Sequence, residues 1–156
     1  MFSLSITPRF YETDAFGHIN NTVLAGWFEA ARAPIFQIFT PNMDIKHLTL
    51  ILARIEIDFV AQTHYGHDVV VKTGIEKLGN SSFVVFQEAW QNDVLVAKGK
   101  SVQVYFDYKT QKSDRIPDVY REKLEALIWM SSSLLILLLR EVPISRANQP
   151  TEHSES

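Results

Sequence analysis

No cysteine occurs among the 156 residues, which excludes disulfides, thiolate metal sites and a cysteine nucleophile and fits a reducing compartment. Nor is there a basic excess. Fifteen Lys and Arg against eighteen Asp and Glu leave a net charge of −3, without the positive field that nucleic-acid binding requires. No apolar run reaches the roughly 20 residues of a bilayer-spanning helix; residues 127–139 come nearest and are broken by three serines. The first residues, Met1-Phe2-Ser3-Leu4-Ser5, lack both a basic n-region and a continuous apolar core, so no signal peptide is expected. Gly-x-Ser-x-Gly, Walker and dinucleotide fingerprints are missing too, which disfavours a serine-elbow hydrolase and nucleotide chemistry. With 46% hydrophobic and 21% charged residues, what remains is an ordinary soluble domain with a cytoplasmic location expected.

The periodicity changes in an orderly way along the chain. Leu4, Ile6 and Phe10 alternate with Ser5, Thr7, Arg9 and Tyr11, which reads as a half-buried strand, with Pro8 marking an edge or a bulge. From Thr22 to about Phe39 the pattern is helical, and Val23, Leu24, Trp27, Phe28, Ala31, Ile35 and Ile38 occupy nearly every face. A helix apolar nearly all round must be buried, and a sheet wrapped around it is the simplest cover. Pro34 would cost about 3 kcal/mol in an unbroken helix, so a kink or restart is predicted there. Ala53, Ile55, Ile57 and Phe59 then alternate with Arg54, Glu56 and Asp58, and strand-like runs follow at about 68–78, 82–90 and 94–106. Gly79-Asn80 and Gln91-Asn92-Asp93 supply turn chemistry between them, so an antiparallel meander is predicted. Gly99, inside the last run, marks a bulge or a close backbone approach. A last helix is expected to begin with Pro117 at its first position, Asp114 and Asp118 at its positive end, and Val119, Leu124, Leu127 and Ile128 on its apolar face. The domain is expected over 1–126, with an apolar extension at 127–145 and a polar tail at 146–156. The extension is expected to pack on the protein or at a subunit contact, with peripheral membrane attachment as the alternative.

The stretch from Tyr11 to Asn21, Tyr-Glu-Thr-Asp-Ala-Phe-Gly-His-Ile-Asn-Asn, concentrates the chemistry. It places a carboxylate, an imidazole and two amides around a helix N-terminus, where unpaired N–H groups favour developing negative charge. Asp14 reads either as a turn or capping aspartate or as a catalytic carboxylate. Asn20 or Asn21 reads as the helix cap, and backbone N–H groups around both are candidate oxyanion donors. His18 is expected to orient the loop or touch a ligand. His64 and His67 with Asp68 lack a third ligand in view and do not read as a metal site. Glu29 and Arg32 read as a surface ion pair at i and i+3. Trp27, Phe28 and Phe59 are candidates for an apolar pocket, with core packing as the plain alternative.

Asp14, the run from Gly17 to Asn21, and Glu29-Ala30-Ala31-Arg32 together resemble the hot-dog-fold acyl-CoA thioesterases of the 4-hydroxybenzoyl-CoA thioesterase-like family. The similarity continues through Ile57-Asp58-Phe59, His64-Tyr65-Gly66, residues 78–83 and residues 102–107, and fades after about Leu127. Where some relatives carry a histidine seven residues after the aspartate, this chain has Asn21, which argues against histidine assistance there. The resemblance implies an α+β hot-dog fold, a bent antiparallel sheet around one long central helix with a C-terminal helix. It implies hydrolysis of a fatty or aromatic acyl thioester by Asp14, as general base or nucleophile. Gly17, His18, Asn20 and Asn21 would line the site, and Ser81 and Ser82 would approach the acyl-CoA across a subunit boundary. The implied carrier is coenzyme A or an acyl-carrier protein, with no separate cofactor and no metal. A homodimer or homotetramer is expected, also because the sheet has edges to cover. An enoyl-thioester hydratase and a non-catalytic acyl-thioester binding protein are the alternatives.

Overall fold

The computed structural model describes residues 1–129. In chain order the elements are β1 (Phe2–Ile6), a 3-10 turn (Phe10–Glu12), α1 (Asn21–Ala31), α2 (Ala33–Phe39), a second 3-10 turn (Ile45–His47), β2 (Leu50–Phe59), β3 (Val69–Leu78), β4 (Ser82–Gln91), β5 (Val94–Asp107), β6 (Lys112–Ser113) and α3 (Asp118–Glu125). All strand pairs are antiparallel in one sheet of order β1-β3-β4-β5-β2, with β6 folded back on β5.

The expected central helix is present and broken. α1 begins where the Asn20 side chain accepts the Thr22 N–H, and it ends at Arg32, which caps α1 and enters α2. Pro34 sits in the first turn of α2, where its missing N–H would have had no helical partner. The restart therefore falls just ahead of the proline. The first strand is shorter than its alternation suggested. It stops at Ile6, and the chain after Pro8 turns at residues 10–12 because the Glu12 carboxylate accepts the Arg9 N–H at 2.7 Å.

Cross-strand register explains how the sheet holds the helix. Thr73, Gln87, Gly99 and Ile57 lie side by side on the inner face, flanked by the rows Val71-Ala89-Ala97-Phe59 and Ile75-Val85-Ser101-Ile55. The Phe28 ring rests on Gly99, whose hydrogen occupies a position where a Cβ would lie 2.8 Å from the ring. Gly99 is thus a close approach, and β5 keeps its register there. On the outer face the matching row Lys72-Glu88-Lys98-Asp58 alternates in charge, with the buried Glu88 between two lysines. The Asn92-Asp93 turn carries two residues at positive φ, the hairpin geometry its sequence predicts. In β2 a bulge at Ala53 shifts the alternation, so Leu52, Ile55, Ile57 and Phe59 share the inner face and Ala53 does not.

Two apolar clusters fill the interior. One joins Leu24, Trp27 and Phe28 to Val71, Ala89 and Ala97; the other joins Ile35 and Phe39 to Ile75, Phe83, Val85 and Leu124. Pro117 is the N-cap of α3 and not its first residue. Val119 and Ile128 are exposed, and α3 seals the second cluster with Leu124, Tyr120 and Leu127. Their spacing pointed to one face, but the short helix meets the sheet along Tyr120 and Leu124. Residues 127–129 then pair beside Ile75, and the Trp129 ring lies on Gly74 and against Phe86. Most of the expected 127–145 extension and all of the 146–156 tail lie outside the described residues. Among those described, no helix is long and apolar enough to cross a membrane.

The Phe28–Gly99 approach is tested by Gly99→Ala. Overpacking a filled core costs about 1–3 kcal/mol, so urea unfolding should show a loss in that range with an unchanged m-value; a neutral substitution would mean that the ring moves freely away.

Candidate active site

Residues 13–19 form a small closed loop between the first 3-10 turn and α1. A bridge between Thr13 and Ile19 shuts its neck, and the Asp14 N–H donates to the His18 carbonyl at 2.7 Å. Asp14 Oδ1 accepts the Phe16 N–H at 2.9 Å and the His18 N–H at 3.1 Å. Gly17 allows this tight return with φ +77. Asp14 is exposed, and its Oδ2 has no hydrogen-bond partner among the described residues. One carboxylate oxygen thus holds the turn, and the other is left without a partner among the described residues.

The start of α1 lies at the end of this loop. Asn20 is the N-cap, accepting the Thr22 N–H and hydroxyl with Oδ1. Its own N–H is taken by the Glu12 carbonyl at 2.9 Å, which removes it from the expected pair of oxyanion donors. The Val23 N–H bonds the Asn20 carbonyl, and the Asn21 N–H has no partner among the described residues. Asn21 therefore supplies the open donor at the positive end of an eleven-residue helix.

His18 is half-buried and holds Asp14 through both backbone groups. Its ring meets the His64 ring edge-on at 5.1 Å between centroids, and the two residues form a bridge. Behind them the Ile19 N–H reaches the Thr63 carbonyl. The buried Gln91 fixes the turn carrying His64, its amide nitrogen donating to the His64 and His67 carbonyls and its oxygen accepting the His64 N–H. His18 thus links the loop to the His64 turn. No group of three His, Asp or Glu side chains with metal-binding geometry occurs among the described residues.

Ser81 and Ser82 are not part of this cluster within one chain. They lie at the start of β4, whereas the Asp14 loop is tied to its last residue, Gln91, through His64. Ten residues of strand put about 30 Å between those ends. The pocket candidates separate as well. Trp27 and Phe28 are core residues, and Phe59 is half-exposed on the inner face of the edge strand β2. Toward the other end of β2, a groove of about 430 Å³ is lined by Gly26, Ala30, Phe36 and Leu52 together with the charged Glu29 and Arg32, and Phe59 is not among its lining residues.

The expected Glu29–Arg32 surface pair does not form. Arg32 is 2% exposed and bonds the Gln87 side-chain oxygen at 3.2 Å, while Glu29 is exposed. The helix break turns Arg32 toward the sheet, where burial pushes its guanidinium below the ordinary value and nearby Glu29 works in the opposite direction. The Gln87 amide nitrogen in turn donates to the Phe28 carbonyl and the Thr73 hydroxyl. Gln87 and Gln91 could have been found from the sequence, since both stand at inward positions of an otherwise apolar alternation with Phe83, Val85 and Ala89. Glu12 had no such signal, yet its carboxylate joins the loop base to the Trp27 indole N–H at 2.9 Å.

The thioesterase-like superfamily model matches residues 8–124, spanning the loop, the helices and the whole meander. A 1,4-dihydroxy-2-naphthoyl-CoA hydrolase of Synechococcus sp. (strain CC9605) is 27% identical over 132 residues, covering 79% of this chain and 89% of that protein. Among solved structures, a predicted thioesterase from Bacillus stearothermophilus is 46% identical with a TM-score of 0.82, covering 84% of this chain and 98% of its own. A thioesterase from Thermus thermophilus, complexed with coenzyme A and zinc, is 29% identical with a TM-score of 0.72, covering 80% and 92%. With a hot-dog sheet closed around its central helix and a family match over most of its length, the chain belongs to the thioesterase-like superfamily.

Proposed function

We propose that this thioester hydrolase acts on an aromatic acyl-CoA and that Asp14 is its catalytic carboxylate. The observation that carries the reading is that Asp14 Oδ2 and, seven residues on at the α1 N-terminus, the Asn21 N–H are both without a partner among the described residues. Support for the substrate comes from the named activity of the Synechococcus relative and the coenzyme A held by the Thermus protein. The groove beside β2, apolar apart from Glu29 and Arg32, has room for an acyl group.

In the proposed reaction Asp14 Oδ2 takes a proton from water as the water oxygen bonds to the carbonyl carbon. The Asn21 N–H and the helix N-terminus stabilise the oxyanion. The C–S bond then breaks, and the coenzyme A thiolate leaves with the proton that Asp14 returns. Direct attack by the same oxygen would give a mixed anhydride that water opens, and both routes require an ionised Asp14. Neither requires a group beyond water.

Asp14→Asn keeps a side-chain oxygen for the Phe16 and His18 N–H groups and removes the basicity. The expected result is a kcat lower by roughly two decades or more and a nearly unchanged Tm. If Asp14 only closes the turn, turnover per folded molecule stays near wild type. Assaying aromatic and fatty acyl-CoA, acyl-carrier-protein and enoyl-CoA substrates on the same preparation tests the acyl class and the carrier. Water addition to the enoyl thioester in place of hydrolysis would favour a hydratase, and binding without turnover a non-catalytic role.

The assembly proposed is a homodimer or a dimer of dimers. β2 ends the sheet with Leu52, Ile55 and Phe59 between 41% and 49% exposed on its inner face, and an apolar sheet edge needs cover. A second copy would also be the route by which Ser81 and Ser82 approach Asp14. Ile55→Glu should shift sedimentation toward monomer and lower kcat/KM together; a fully active monomer would defeat the assembly.

A further inference from the structure

We propose that Glu12 is a positioning residue for Asp14, acting through a clamp that fixes the base of the catalytic loop to α1. The proposal rests on the assignment of Asp14 above. Glu12 is half-buried and uses three acceptors on three separate pieces of chain. Its Oε1 accepts the Arg9 N–H at 2.7 Å, its Oε2 accepts the Trp27 indole N–H at 2.9 Å, and its backbone carbonyl accepts the Asn20 N–H at 2.9 Å. The first contact holds the turn that enters the loop. The second pins that turn to a Trp only 7% exposed in the α1 core cluster. The third pins the N-cap residue next to the open Asn21 donor.

The two groups proposed to meet the substrate, Asp14 and the Asn21 N–H, are thus held in mutual register by a residue that touches neither. The loop's own hydrogen bonds hold Asp14 to Phe16 and His18, but residues 14 to 17 are all exposed and these bonds do not themselves tie the loop to α1. A displacement of about 1 Å in a reacting group can cost around 10²-fold in rate, and the clamp restrains that displacement. Charge matters as well as shape, because an ionised carboxylate accepts at both oxygens. An amide in its place would offer one acceptor and set an NH₂ group against the other donor.

Glu12→Gln and Trp27→Phe are to be compared singly and together with wild type. Glu12→Gln should lower kcat about 10- to 100-fold while KM stays within roughly threefold. Trp27→Phe, which removes only the indole donor, should lower kcat in the same sense, and adding it to Glu12→Gln should cost little more, since both delete one bond. The acid limb of kcat/KM, which reports the catalytic carboxylate, should persist in Glu12→Gln. A kcat within about threefold of wild type for folded Glu12→Gln, or fully multiplicative effects of the pair, overturns the clamp. Loss of the acid limb in Glu12→Gln also overturns it, making Glu12 itself the base. If Glu12→Gln does not fold, Trp27→Phe decides alone: an unchanged kcat refutes the proposal and a lowered kcat at constant KM supports it. Failure of the Asp14 assignment is read separately, from Asp14→Asn retaining turnover.

Discussion

The contact on which the architecture depends is the Phe28 ring seated on Gly99, with the Gln87 amide bonded to the Phe28 carbonyl. An α1 that is apolar on nearly every face needs a sheet close against it, and a side chain at residue 99 would hold β5 away. Burying an aromatic ring fully contributes about 1.5–3 kcal/mol, and here it also sets how deep the helix lies. Gln87 serves the same seam from the polar side. Arg32 interrupts the helix, and Gln87 accepts from its guanidinium while donating to Phe28 and Thr73. The Gln87 amide is fully partnered, as a buried polar group must be, whereas the buried Arg32 Nε has no partner among the described residues.

The loop bearing Asp14 depends on that seat. Trp27 is buried beside Phe28, and its indole N–H is directed to Glu12. On the other side, Gln91 steadies the His64 turn, His64 meets His18, and His18 holds both the N–H and Oδ1 of Asp14. An exposed carboxylate is in this way held from two sides by buried groups. Its free oxygen and the first open N–H of α1 share one end of the sheet, while the edge strand β2 leaves its apolar inner face uncovered. The proposed chemistry rests on the first of these features and the proposed assembly on the second.

Much of this was legible from residue order. The period of two in the strands, the largely apolar helix, the turn residues Asn92 and Asp93, the cap at Asn20 or Asn21 and the break near Pro34 are short-range features. Each is set by backbone sterics and by side chains a few residues apart. The bulge at Ala53 was not legible, because a one-residue slip leaves the composition of a strand unchanged and shows only against its partner.

The amino-acid sequence by itself determined the longer strands and helices, their order, and the placing of Asp14, His18, Asn20 and Asn21 on one short stretch. Tertiary structure alone decided that Arg32 faces the sheet and not Glu29, that Asn20 gives its N–H to Glu12 and leaves Asn21 open, and that Ser81 and Ser82 lie a strand's length from Asp14. The reason is range. Periodicity and capping record neighbours along the chain, whereas these outcomes depend on which strand or helix stands opposite, and that is set only when the sheet closes around α1.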